Sequence, residues 1–127
     1  MSEAAAIAKA ALARGNLIAA YDVAWSAIAA GDLSSEVRHQ QVLALARMGD
    51  TERAMELFVA YGLDRASHPH ERAIGARLLK DRALALAPGA EREAALAAAF
   101  DAYHQVYAAS GDSFPGINAA TLALLAA

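Results

Sequence analysis

Gly15-Asn16-Leu17-Ile18-Ala19-Ala20 and Gly49-Asp50-Thr51-Glu52-Arg53-Ala54 are two versions of one turn, set thirty-four residues apart. Each opens on a glycine, which suits the end of one helix, and continues with Asn or Asp, which suits the cap of the next. With the two glycines in register the flanking segments align without a gap. Ala8 then corresponds to Val42 and Ala20 to Ala54, small residues where helices must approach. The bulky pair Trp25 and Phe58 recurs one position out of step. A third turn, Pro88-Gly89-Ala90, comes forty residues after Gly49, and the loop before the fifth helix together with extra length in that helix absorbs the difference.

Thirty-four residues is the period of the tetratricopeptide repeat, a helix–turn–helix unit. The fold class predicted is therefore all-α, a tetratricopeptide-like helical-hairpin solenoid of about seven antiparallel helices. Composition agrees: 57% of the 127 residues are apolar but only 6% are aromatic, so alanine carries much of the apolar content and favours helices with thin seams between them. Helices are predicted over about 2–14, 16–31, 35–48, 51–61, 70–87 and 90–110, with a seventh from about 117. In the second of these Leu17, Ala20, Tyr21, Ala24, Trp25 and Ile28 are expected on the buried side. Gln41 is the odd polar member of the third helix's apolar stripe. The expected organisation is a single domain, 1–127, with units 2–31, 35–62 and 70–110 and a half unit 117–127. A helix without its partner at the end suggests a piece cut from a longer protein.

Net charge is −3 and the basic residues are scattered among acidic ones, which leaves no stripe for nucleic acid. There is no cysteine, no signal peptide and no unbroken apolar run of membrane-spanning length, so the expectation is a cytoplasmic protein with no membrane partner.

Arg38-His39-Gln40-Gln41-Val42-Leu43-Ala44-Leu45-Ala46-Arg47, Ala76-Arg77-Leu78-Leu79-Lys80-Asp81 and Pro115-Gly116-Ile117-Asn118-Ala119-Ala120-Thr121-Leu122 occur in that order. Over about residues 35–127 they resemble the tetratricopeptide region of bacterial proteins similar to the central regulatory, TRAF-binding part of the apoptosis signal-regulating kinases. The Gly-Ile-Asn entry to an apolar helix is the most specific piece. The resemblance implies a non-catalytic regulatory segment within a larger signalling protein. It does not carry TRAF binding with it, and the chain has no phosphate loop or catalytic-loop motif of a kinase.

No catalytic, cofactor or metal site emerges from the residues. His68-Pro69-His70-Glu71, with Asp64 near, is the one metal-like cluster, but zinc needs three or four ligands in fixed geometry, and two histidines straddling a proline read as loop and helix-cap residues. Arg77 and Asp81, four apart, form a helix-face pair rather than a catalytic one. What remains is the inner wall built by the first helix of each unit. Its candidates are Lys9 and Leu12, then His39, Leu43 and Arg47, then Arg72, Ala76 and Leu79. A mixed wall of this kind suits a protein or peptide partner, with Lys9 or Arg47 reading a carboxylate. The alternative is a homo-oligomer assembled through Leu122 and Leu125 of the seventh helix.

Overall fold

The computed structural model describes residues 2–110. Among them are six α-helices, one 3-10 turn and no strand. They are α1 (Glu3–Ala13), α2 (Leu17–Ala29), α3 (Ser35–Arg47), α4 (Thr51–Ala60), the 3-10 turn Leu63–Arg65, α5 (Pro69–Leu84) and α6 (Ala90–Ser110). The seventh helix expected from about residue 117, with Leu122 and Leu125, lies outside the described residues.

The turn that sets the repeat is built from backbone hydrogen bonds. At the end of α1 the Gly15 N–H donates to the Leu12 carbonyl at 3.0 Å and the Asn16 N–H to the Ala11 carbonyl at 2.9 Å. This nested pair satisfies carbonyls that a helix end leaves orphaned, and it requires a left-handed residue at its centre. Gly15 supplies it with φ 77°. Gly49, at φ 88°, closes α3 through the same pair of bonds, to Ala46 and from Asp50 to Leu45. The end of α2 repeats the arrangement, with the Gly31 and Asp32 N–H groups on the Ile28 and Ala27 carbonyls. Each following helix begins at once on a side-chain cap. Asn16 accepts from the Ala19 N–H, Asp50 from Arg53 and Ser34 from Val37. Ser2 caps α1 in the same way through the Ala5 N–H.

The chain divides into two compact units between Leu63 and Asp64. In the first, α1 packs on α2 and α3, α2 on α3, and α3 on α4. Its core joins Ala5, Ala8, Ala11 and Leu12 of α1 to Ala20 and Ala24 of α2 and Val37 and Ala44 of α3. All four residues that the thirty-four-residue register singled out, Ala8, Val42, Ala20 and Ala54, are fully buried. In the second unit α5 packs on α6 around Ala76, Ala83, Leu96, Ala99 and Tyr103.

Several expectations need correction. Trp25 does not pack between helices: it is 56% exposed. The residue in register with Phe58 is Ala24, thirty-four positions earlier, and both are buried. Trp25 stands one residue, about 100° of helix, further round. Ile7 of α1 and Met48 at the end of α3, both large and apolar, are also exposed. Helix α5 starts at Pro69 itself, where a missing N–H costs nothing, and stops at Leu84, short of the Ala87 expected from the Pro88-Gly89 stop signal.

A β-carbon built on Gly49 meets nothing within 4 Å, so a substitution there is opposed by backbone conformation alone. Gly49→Ala is expected to lower stability by about 1–2 kcal/mol. Gly49→Asn, better tolerated in the left-handed region, should cost less. Urea unfolding midpoints of the two variants check the order.

Candidate interaction face

In the first unit the candidate face is carried by α1 and α3, which lie against each other. Lys9 is exposed on α1. Leu12, one turn on, is only 3% exposed and belongs to the core beneath the face. His39 and Leu43 of α3 are half-buried, Leu43 against the same core. Arg47, at the end of α3, is exposed as a residue yet anchored: its Nη1 donates to the Leu12 carbonyl at 3.1 Å. That carbonyl already accepts the Gly15 N–H. The arginine of the second repeat thus completes the turn of the first, a favourable place for a cation because a helix C-terminus is electronegative.

The candidates of the second unit divide similarly. Arg72 is half-buried, and its Nη1 donates to the carbonyls of Ala66 and Ser67 at 2.6 and 3.0 Å, holding the chain that leads into α5. Ala76 is buried in the core between α5 and α6, and Leu79 packs against that core. Of the eight residues, Lys9 offers an exposed charged group that makes no hydrogen bond or ion pair among the described residues, while Leu12 and Ala76 are buried in the cores of their units.

Sequence reasoning missed the polar cluster on the other side of α3. Gln41 is 2% exposed, and its Oε1 accepts the Tyr61 hydroxyl at 2.5 Å. The Arg38 guanidinium lies 4.9 Å from the centre of the Tyr61 ring, a cation–π distance. Burial pushes the Tyr61 hydroxyl above the usual phenol range, with Arg38 opposing the shift. The signal for this cluster was the glutamine on an apolar stripe; its partner at the end of α4 is visible only once α3 and α4 pack.

The remaining constellations are local. Arg77 and Asp81 lie 3.6 Å apart on one face of α5. Tyr103 of α6 is buried in the same unit, and burial pushes its hydroxyl up to about 12, with Arg77 opposing and Asp81 reinforcing the shift. His68 stands at the N-cap of α5 without a capping side-chain bond, followed by Pro69. Among the described residues no group of three or more His, Asp or Glu is placed to hold a metal ion. His104 stacks on Phe100, ring centres 6.0 Å apart. None of the described helices is long and apolar enough to cross a membrane.

Two hairpins closed by one turn chemistry, with small residues buried at a thirty-four-residue interval, constitute the repeat. The model of one family, Tetratricopeptide Repeats-Sensor (TPR-S), matches residues 4–123. The chain belongs to the TPR-S family. The match takes in α1 and α2, the pair that carried only the general repeat in the sequence, and runs through all the other described helices. No curated protein matches the chain, and no solved structure does. Repeats of the tetratricopeptide type mediate protein–protein interaction, and this TPR-S chain presents helical faces of that kind.

Two outcomes check the polar and titratable groups. Tyr61→Phe strands the buried Gln41 oxygen and should cost about 1–3 kcal/mol in urea unfolding, whereas adding Gln41→Leu should restore much of the loss. For Tyr103 the folded pKa lies above the unfolded value of 10.0, so its neutral form contributes stability in full below pH 10. That contribution disappears as pH rises from 10 to about 12, and Tyr103→Phe should flatten this part of the stability–pH curve.

Proposed function

We propose that the chain is a non-catalytic interaction and sensing segment of a larger bacterial signalling protein, acting in the cytoplasm by holding a protein or peptide partner. The observation that carries this reading is the TPR-S match over residues 4–123, in a family whose description joins the repeat to a sensor role. The resemblance of residues 35–127 to the regulatory segment of the apoptosis signal-regulating kinases favours a segment that works beside an output domain.

The partner face in this reading is the first helix of each repeat. On α1 Lys9 offers an exposed ammonium, and on α3 His39 and Leu43 are half-buried, with Arg47 exposed at the end of that helix. In the second unit Arg72 and Leu79 are the accessible members, each already engaged within its own unit. A partner carboxylate would meet Lys9 first, because Arg47 is committed to the Leu12 carbonyl. An extended or helical peptide bearing an acidic group and an apolar residue is the class of ligand that such a surface fits.

The cleanest test changes Lys9, which has no part in the core, and leaves Arg47 in place. Lys9→Glu is expected to abolish retention of acidic peptides on the immobilised chain while leaving the thermal unfolding midpoint unchanged. Leu43→Asp should weaken retention and also destabilise, since Leu43 packs on the core. Equal retention by the Lys9→Glu variant would sink the inner-face reading.

A further inference from the structure

The face of α2 turned away from α1 and α3 carries Ile18, Asp22, Trp25 and Ala29. Their spacing of four, three and four places them in one line along the helix, over about 16 Å. All four are exposed, Ile18 by 68% and Trp25 by 56%. The buried side of α2 is made by Ala20 and Ala24, with Leu17, Tyr21, Val23, Ala27 and Ile28 packed around them. The line is therefore not the edge of the core but a second apolar stripe on a helix that has already satisfied the first.

Two features define what would cover it. A four–three spacing of side chains is the seam along which one helix lies against another. Trp25 supplies a large anchor of the type that dominates helix interfaces, and Ala29 lets a partner backbone approach at the far end. The charge is also specific. Asp22 stands between Ile18 and Trp25, exposed, and takes part in no ion pair or side-chain hydrogen bond. A purely apolar partner would desolvate this carboxylate without compensation, which is unfavourable. A helix with a lysine or arginine opposite Asp22 would retain the charge and pair it.

We propose that the α2 stripe is a docking site for an amphipathic helix with large apolar residues flanking a central lysine or arginine, supplied by a partner protein. It is separate from the α1–α3 face, since it uses the opposite helix of the hairpin. Its occupancy does not depend on whether that face binds acidic peptides.

The test exploits Trp25 as the one tryptophan of the chain, so its emission reports the stripe alone. The probes are two synthetic helical peptides with leucines matched to Ile18 and Trp25, identical except for lysine or glutamate at the central position. The lysine peptide is expected to shift Trp25 emission to the blue and to bind more tightly than the glutamate peptide. Asp22→Lys should reverse the preference, by about 2- to 5-fold in each direction for an exposed pair. Trp25→Ala should weaken the lysine peptide about 30-fold, followed by polarisation of a labelled peptide, with far-ultraviolet dichroism confirming an intact fold. Absence of binding by the lysine peptide, equal binding of both peptides, or a blue shift that grows with protein concentration without peptide would each overturn the proposal. The last outcome would assign the stripe to a second copy of the chain.

Discussion

The helices of this protein meet through alanine, and the rest of the structure follows from how close that brings them. Ala5, Ala8, Ala20, Ala24, Ala44 and Ala54 are all fully buried, and Val37 and Val42 are fully buried with them. A methyl group contributes little apolar area, so such a core relies on dense contact between backbones rather than on bulky side chains. Close approach also fixes the connections. Helices that nearly touch leave room only for a tight turn, and the left-handed glycines with their nested hydrogen bonds supply it at Gly15, Gly31 and Gly49.

A thin seam discriminates weakly between registers, and the part-buried polar contacts of the first unit add that discrimination. Arg47 reaches back one repeat to the Leu12 carbonyl, so the turn of one hairpin is completed by the end of the next. Gln41 and Tyr61 lock α3 to the end of α4, with Arg38 across the tyrosine ring. An amide oxygen buried without its hydroxyl partner is costly, so a slip of α4 along α3 is penalised more strongly than loss of a few methyl contacts.

The same geometry shapes the surfaces available for function. Since alanines fill the inner sides, large apolar residues such as Ile18 and Trp25 are left outside. On the first helices of the repeats much of the polar chemistry is spent internally, by Arg47 on a helix end and by Arg72 on the chain entering α5. A repeat of this kind offers helical faces, in keeping with interaction as the general activity of tetratricopeptide-type repeats.

The sequence by itself determined the helices, their caps and the repeat, because these depend on neighbours a few residues away. Asn16, Ser34 and Asp50 cap the helices that follow, and the glycine turns recur at a fixed interval. It also marked Ala8, Ala20, Val42 and Ala54 as the points of approach, since register alone picks them out. Tertiary structure decided which side of each helix is used. Trp25 reads as core by hydrophobicity, but α2 already buries an alanine face against two neighbours, and a residue 100° away stays in solvent. Leu12 and Ala76 fall on the predicted binding face by spacing, yet packing draws them beneath it. Arg47 and Arg72 carry the right charge for a ligand, and only the folded chain shows that backbone carbonyls claim them first.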